Sequence, residues 1–279
     1  RCPYHGWRYD ANGDVDDIPY FDGPCPKSAS IRSYPVVDNM GCIMAWYDPD
    51  GREPDFDPPH LPEWDDPQWV NWQLDHLGEI KIHPQEILDN MADSRHLGPT
   101  HGAPCEYFAN EFKDHVYIQR QGGPMQLYDT YLQTTTWYTG PGLLLSKQVF
   151  ADNVIYELIA NTPLDDGLVK CWHGILYKGQ SNPASAEDIA AAKESQAGAL
   201  EAFAADFNVW QNKRPAIRIM QLKTDGPFKL GRKWYSQFYA APEDMQTIRD
   251  ELNGEHLCQG LKTPEEVNHN IDGDLRFTA

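Results

Sequence analysis

Four β-like runs follow one another in the second half of the chain. They are rich in β-branched and aromatic residues, and turns containing Gly, Pro, Asp and Asn separate them. The runs are Leu127–Tyr138, Gly142–Phe150, Val154–Thr162 and Leu168–Tyr177. Four such segments in succession are typical of an antiparallel meander, which we therefore predict for this region.

A long helix is predicted directly after the last of these runs, over Ser185–Lys213. Ser185 and Asp188 have the spacing of a capping box, an Ala- and Glu-rich run follows, and Pro215 ends the pattern. A shorter helix is predicted at Glu243–Leu252.

Asp206 lies at helical spacing with Phe203 and Trp210, so it shares the apolar face of the long helix. An unpaired buried carboxylate is very costly, and a cation or a metal ion would satisfy it. The alternative is an Asp at the edge of the apolar stripe that reaches water or pairs with Lys213 or Arg214. From this helix alone, the sequence favours the alternative.

The stretch Pro84–Cys105 concentrates potential metal ligands, with Asp93, His96 and His101 in the pattern Asp-x-x-His-x4-His. Two imidazoles plus one carboxylate from elsewhere would form the open face that holds non-haem Fe(II) in oxygenases. Asp93 and His96 are three residues apart and share a helix face. Ten histidines in 279 residues also produce close pairs by chance, so the motif alone is a weak indication.

The spacing of the two histidines needs a break in the helix. His101 follows His96 by five residues, about 140° round an ideal helix, so a straight helix would direct the rings apart. Gly98 and Pro99 lie between them and are predicted to break or kink the helix, which would turn the second ring back toward the first.

The first residues of the chain form a second candidate site. Cys2 and His5 lie in the loop sequence CPYHGW, where a Pro and a Gly favour a tight turn with clustered backbone N–H groups. Asn12-Gly13 then predicts a type I′ hairpin in a small antiparallel β unit that ends near residue 55. The alternative for Cys2 and His5 is a buried cysteine beside an incidental histidine. Glu53–Asp66, rich in Pro and acids, is predicted to be a linker.

Composition narrows the classes of partner. Acidic residues outnumber basic ones by 42 to 23, a formal charge of −19, which disfavours nucleic acid as a partner. There is no apolar run long enough to cross a membrane. The six cysteines are widely scattered, which favours a reducing, cytoplasmic setting. Because the chain starts at Arg1, directly before CPYHGW and without an initiator Met, we expect it to be N-terminally truncated.

CPYHGW with its following Asn-Gly turn resembles the second half of a Rieske iron–sulfur motif. Together with Asp-x-x-His-x4-His and a carboxylate on a late helix, it makes the chain similar to the oxygenase (alpha) component of Rieske non-haem iron oxygenases. Within that group the chain most resembles the 3-ketosteroid 9α-hydroxylase oxygenase type. The closer resemblance rests on GCIMAWYDPDG, EILDNMADSRHLGPTHG and the stretch TDGP…RKWYSQFY.

The resemblance implies an α+β fold in two domains. Residues 1–58 would be the C-terminal half of a Rieske antiparallel β domain and the start of a linker. Residues 59–279 would be a helix-grip catalytic domain of the Bet v1/START-like kind, in which a curved antiparallel sheet wraps a long helix.

The resemblance also implies roles for particular residues. His96, His101 and Asp206 would bind a mononuclear Fe(2+) ion. Cys2 and His5 would supply half of the ligands of a 2Fe–2S cluster. Asp93 would link His96 to the His5 of a neighbouring subunit and carry electrons between them. Tyr107 and Phe108 are candidate substrate contacts.

The implied activity is hydroxylation of a steroid-like, apolar substrate with O₂ and electrons from NAD(P)H. A separate ferredoxin-type reductase would deliver the electrons, and a head-to-tail homotrimer would complete each site. One alternative is a Rieske oxygenase or demethylase for a smaller aromatic substrate. Another is a metal-free lipid-binding module with the same helix-grip fold.

Overall fold

The computed structural model describes residues 1–126, 129–151, 153–273 and 275–277. The chain divides into two compact units, Arg1–Asp57 and Pro58–Ala279.

The first unit contains two small antiparallel hairpins. Strand β1 (Arg8–Tyr9) pairs with β2 (Val15–Asp17), and β3 (Val36–Asn39) pairs with β4 (Cys42–Ala45). The predicted type I′ turn at Asn12-Gly13 is wrong, because that turn needs positive φ at both residues and only Gly13 has it, at 86°. Instead, the Asp10 carboxylate accepts the N–H groups of Asn12 and Asp14 and closes a longer turn.

The second unit is built on an antiparallel sheet. In the described part of the chain it has nine strands: β5 (Trp69–Val70), β6 (Asp75–Ile80), β7 (Tyr107–Lys113), β8 (Val116–Met125), β9 (Thr130–Thr139), β10 (Leu143–Phe150), β11 (Asn153–Asp165), β12 (Leu168–Lys178) and β13 (Gly254–Leu257). Their order is β13-β7-β8-β9-β10-β11-β12-β5, with β6 also paired to β12. The predicted meander is confirmed as β9 to β12; residues 127 and 128 of its first run lie outside the described residues.

Five α-helices accompany the sheet in the described residues: α1 (Pro84–Leu88), α2 (Leu97–His101), α3 (Ala186–Trp210), α4 (Phe228–Ser236) and α5 (Pro242–Leu252). Helix α3 begins with the predicted capping box of Ser185 and Asp188, and it ends at Trp210, three residues before the predicted end. Among the described residues, every helix is too short or too polar to span a bilayer.

The helices lie on one face of the sheet, which we call the inner face. Phe203 and Trp210 of α3 pack there against Ile159 and Cys171, and Trp234 of α4 packs with Tyr117 and Tyr138 elsewhere on the same face. Because side chains alternate along a strand, the residues before and after each inward-facing residue point to the opposite face, which we call the outer face. The C-terminal segment lies on the outer face, where His269 hydrogen-bonds Tyr107 and Asp272 pairs with Arg120.

Candidate metal centre

The segment that carries the two histidines is a series of short turns. After α1, a 3-10 turn covers Asp89–Ala92, and Asp93 leaves the helical region with φ −97° and ψ 84°. The Asp93 carboxylate then accepts the N–H groups of Arg95 and His96, at 3.1 and 3.2 Å, and closes the turn that precedes α2.

The predicted break at Gly98-Pro99 is therefore misplaced. Both residues lie in the first turn of α2, where the missing N–H of a proline leaves no helical hydrogen bond unmade. The chain breaks at Asp93, before His96, and a left-handed Gly102 with φ 65° ends α2 after His101. The two rings nevertheless converge, with centroids 5.3 Å apart and planes at 79°.

His96, His101 and Asp206 are brought together from two distant parts of the chain. Each offers one ligand atom, and these three atoms lie within 4.8 Å of one another. His101 Nε2 is 3.6 Å from Asp206 Oδ2. Asp206 is only 8% exposed, which excludes the alternative of a solvated Asp at the edge of the stripe. Lys213 pairs with Glu86 and Asp89 instead of with Asp206.

Hydrogen bonding orients the His96 ring. Its Nδ1 donates to the backbone carbonyl oxygen of Asp93 at 2.6 Å, which leaves Nε2 as the nitrogen with a free lone pair. The Asp93 carboxylate lies further away, with its oxygen 3.9 Å from the same Nδ1. In the structure, the main chain of Asp93, and not its carboxylate, thus makes the hydrogen bond to the His96 ring.

The electrostatics of this site favour a cation. Burial by itself would lower the pKa of His96, but the hydrogen bond and charge of Asp93 and the charge of Asp206 outweigh it and raise that pKa. Burial would likewise raise the pKa of Asp93, but His96 and two backbone N–H groups lower it overall. A metal ion would provide the positive charge that the carboxylates stabilise. Two neutral imidazoles and a carboxylate are also a donor set that suits Fe(II).

A buried ion cluster, which we did not predict, holds the histidine segment in place. The Arg232 guanidinium contacts Glu86 at 2.9 Å and Asp89 at 2.6 Å, and Lys213 contacts the same two carboxylates at 2.9 and 2.8 Å. Glu86 and Asp89 are 3% and 8% exposed. The partners are more than a hundred residues apart in sequence, so no local pattern indicates the cluster.

The sheet fixes the same segment from the other side. The amides of Asn110 and Gln119 both donate to the carbonyl oxygen of Met91, at 2.7 and 3.1 Å. Gly226 N–H donates to the carbonyl of Ala92 at 3.0 Å. A Cβ at Gly226 would lie 2.3 Å from that carbonyl oxygen, so only glycine permits this approach.

The remaining predicted site residues lie elsewhere. Tyr107 is fully buried with its hydroxyl on the outer face, at 2.6 Å from His269, so the structure does not bring it to the metal ligands. Phe108 is buried and alternates to the inner face. Cys2 and His5 share a tight loop in the first unit, closed by a hydrogen bond from Gly6 N–H to the Cys2 carbonyl.

Two histidines on a short helical segment and a carboxylate on a long helix, packed on an antiparallel sheet, match the donor set of non-haem iron sites. Residues 45–239 match the model of the 3-ketosteroid 9alpha-hydroxylase C-terminal domain, and residues 1–35 match the Rieske [2Fe-2S] domain. The chain therefore belongs to the 3-ketosteroid 9alpha-hydroxylase family of Rieske proteins.

Similar proteins agree with this membership. A probable 3-ketosteroid-9-alpha-monooxygenase oxygenase component of Rhodococcus rhodochrous is 28% identical over 90% of this chain and 66% of its own length. A cholesterol 7-desaturase of Caenorhabditis elegans is 27% identical over 86% of this chain and 62% of its own length. The chain thus spans about two thirds of the length of these curated relatives.

Solved structures share the fold at lower sequence identity. NdmA of Pseudomonas putida CBB5 with caffeine has a TM-score of 0.64 at 16% identity, covering 94% of this chain and 78% of that one. Apo dicamba monooxygenase has a TM-score of 0.59 at 16% identity, covering 89% and 80%. The predicted family and α+β fold class are confirmed. The cofactor prediction is confirmed at the level of the family, whose Rieske domain is described with a 2Fe–2S cluster.

Proposed function

We propose that this chain is part of the oxygenase component of a Rieske monooxygenase that hydroxylates a steroid-like, largely apolar substrate. His96, His101 and Asp206 would hold the mononuclear iron. The observation that carries the proposal is the convergence of their three ligand atoms within 4.8 Å, although Asp206 lies more than a hundred residues after the two histidines. The names of the relatives support a steroid as the substrate class.

A ferrous ion held at this site would supply the redox chemistry that uses O₂ to hydroxylate a C–H bond. The chain's own residues prepare the site for it. The Asp93 carbonyl keeps the proton of His96 on Nδ1, so that Nε2 is free to bind the metal. Asp206 contributes negative charge from a second helix. Three protein ligands would leave further coordination positions of a bound iron free.

Electron delivery is the part of the proposal that involves other chains. Cys2 and His5 would supply two of the four ligands of the 2Fe–2S cluster. Asp93, 35% exposed at its side chain, would contact the cluster-bound His5 of a neighbouring subunit in a homotrimer. A separate ferredoxin-type reductase would pass electrons from NAD(P)H to the cluster. The scattered cysteines support a reducing, cytoplasmic setting.

The ligand set favours this function over a metal-free lipid-binding module, because burying Asp206 beside two histidines serves no purpose in an apolar carrier. The names of the relatives likewise favour a steroid over a smaller aromatic substrate.

The test is the substitution of one histidine by alanine, with a matched control. His101→Ala should lose the mononuclear iron, measured by metal analysis after anaerobic loading with Fe(II), and with it O₂-dependent steroid hydroxylation. His76→Ala removes an exposed histidine of the same unit and should retain both. Full iron content in His101→Ala would refute the ligand assignment.

Asp93→Ala should keep the iron but lose the turnover that is coupled to electron supply from the reductase. Normal coupled rates in this variant would refute the bridging role of Asp93.

A further inference from the structure

A buried histidine that the iron ligand set does not use lies between the sheet and helix α3. His173 of β12 is fully buried, and both of its ring nitrogens face carboxylates. Nε2 lies 3.0 Å from Oε1 of Glu157 on β11, and Nδ1 lies 3.3 Å from Oδ2 of Asp75 on β6. Burying three titratable groups is costly unless their hydrogen bonds and charges match.

Two amides complete this group of side chains. Gln148 Nε2 donates to the other oxygen of Glu157 at 2.7 Å, and Gln196 Nε2 of α3 donates to Asp75 Oδ2 at 2.9 Å. We call His173, Glu157, Asp75, Gln148 and Gln196 the His173 cluster. Both of its carboxylates accept hydrogen bonds from the amides, which is what ionised carboxylates do.

Only a protonated His173 ring satisfies both carboxylates. A neutral imidazole has one N–H group and one lone pair, so one of its nitrogens would face a carboxylate oxygen with no proton between them. An imidazolium donates to Glu157 and to Asp75 at once. Burial opposes the charged form of His173, but the hydrogen bonds and charges of Glu157 and Asp75 outweigh it and raise its pKa. Among the described residues, these two carboxylates are the charged groups that act on the ring, and helix α3 faces the cluster with the uncharged Phe203 and Gln196.

The His173 cluster joins the sheet to helix α3 at two points. Gln196 also donates to the carbonyl oxygen of Gln73 at 2.8 Å, and it accepts the N–H of Ile175 at 3.2 Å. Further along the helix, the Phe203 ring lies nearly parallel to the His173 ring, with centroids 6.0 Å apart and planes at 22°. A cation is attracted to an aromatic face over about 6 Å, so this contact is stronger for an imidazolium than for a neutral imidazole.

The second of these points lies next to a candidate iron ligand. Phe203 precedes Asp206 by three residues, so the two share one face of α3. The backbone hydrogen bonds of α3 keep the helix regular, but they do not decide where the helix lies on the sheet. That position depends on side-chain contacts with the strands, and the charge of His173 strengthens a contact that is about one turn from Asp206.

We propose that His173, as an imidazolium held by Glu157 and Asp75, is a positioning residue of the metal centre and fixes on the sheet the turn of α3 that carries Asp206. This inference rests on the proposed role of Asp206 as an iron ligand. Loss of the His173 proton would direct a lone pair at a carboxylate and weaken the contact with Phe203. The affinity for iron should therefore depend on a histidine that does not touch the metal.

The first experiment measures the charge of the ring in the metal-free wild type. ¹⁵N-edited NMR of the full chain shows how many ring nitrogens of His173 carry a proton. Both should be protonated at a pH at which exposed histidines are neutral. A ring with one proton at that pH would overturn the proposal. This measurement does not involve iron, whereas the proposed function fails if the wild type binds no Fe(II), so the two failures are distinguishable.

The second experiment measures the affinity for Fe(II) against pH, by anaerobic competition with a chelator. His173→Gln removes the charge and keeps a hydrogen-bonding side chain, and its affinity at neutral pH should be about tenfold lower than that of the wild type. Because the folded pKa of His173 is raised, its proton is bound at neutral pH and lost as the pH rises through that pKa. The difference between the two proteins should therefore shrink on the alkaline side. A difference that is the same at every pH would indicate a merely structural role and overturn the proposal.

His269→Gln is the matched control, because it changes a histidine with a buried side chain beside Asp272 on the outer face of the same sheet. It should keep the wild-type affinity, and an equal loss there would overturn the proposal. Phe203→Leu tests the same link with the His173 cluster intact. It should lower the affinity, and adding His173→Gln should lower it no further. Additive losses would show that His173 does not act through Phe203, which would also overturn the proposal.

Discussion

The histidine segment Pro84–His101 and helix α3 both supply candidate iron ligands, but different interactions hold them. Helix α3 runs for 25 residues without interruption and is started by its own capping box. The histidine segment consists of two five-residue helices and a 3-10 turn, too short to be stable alone. Its geometry depends on Arg232, Lys213 and the amides of the sheet.

The difference shows how one metal site can combine two kinds of support. A regular helix positions Asp206 through backbone hydrogen bonds within the helix, and substitutions in other parts of the protein leave these bonds intact. The irregular segment can direct two histidines to one point only because distant groups satisfy its backbone and its charges. We therefore expect substitutions that affect the segment's distant partners to cost far more than equivalent changes on α3.

The largest effect is expected for Arg232→Met. It leaves Glu86 and Asp89 buried with one cation, and breaking a buried ion pair costs about 3–5 kcal/mol. Urea denaturation should show this loss in the free energy of unfolding. The control is the adjacent Lys233→Met, whose exposed pair with Glu251 should contribute about 1 kcal/mol or less. Equal losses in the two variants would refute the structural role of the cluster.

The next effect concerns two glycines. A Cβ at Gly123 of β8 would lie 2.0 Å from the carbonyl oxygen of Pro104, in the loop after His101. Gly123→Ala should therefore cost about 1–3 kcal/mol through displaced backbone. On α3, a Cβ at Gly198 meets nothing within 4 Å, so Gly198→Ala should stabilise by about 0.5–1 kcal/mol. Thermal unfolding of both variants checks the sign, and a stabilised Gly123→Ala would contradict the close packing.

A smaller effect is expected at the start of α3. Ser185→Ala removes the side chain that accepts the Asp188 N–H and should cost about 1 kcal/mol. Iron content should remain unchanged, because Asp206 lies about six turns further along the helix and is held by the hydrogen bonds of its own turn. Metal analysis beside denaturation measures both quantities. Loss of iron in this variant would show that α3 depends on its cap as strongly as the histidine segment depends on its partners.

The smallest expected effect is a change in pH dependence. Burial would raise the pKa of Glu86, but Lys213 and Arg232 outweigh it and lower that pKa below its ordinary value of 4.5. Because the folded pKa is the lower one, ionised Glu86 stabilises the fold above the unfolded pKa, and this contribution is lost as pH falls. Glu86→Gln should show a shallower acid-side decline in the free energy of unfolding.

The control for this prediction is Glu194→Gln on the exposed side of α3, which should keep the wild-type profile. A profile of Glu86→Gln that coincides with the wild type would show that the ion cluster does not favour the ionised carboxylate.

Much of the fold could be predicted from local patterns. The meander β9 to β12 and helix α3 have strong periodicity, turn residues and a cap, and these signals lie within each element. The site was predicted less completely. The sequence named the two histidines and Asp206 as candidate ligands, and the structure brings them together. The break, however, was placed at Gly98-Pro99 and not at Asp93, because the interactions that fix it come from Asn110, Gln119 and Gly226.

By itself, the sequence determined the elements whose stabilising interactions are close along the chain: the strands of the meander, the capped helix α3, and the residue types that suit iron. Only the tertiary structure decided where the histidine segment bends, which group orients His96, and that Tyr107 faces away from the metal ligands. The physical reason is that these features depend on hydrogen bonds, ion pairs and close packing between residues far apart in sequence, and such partners become neighbours only in the folded chain.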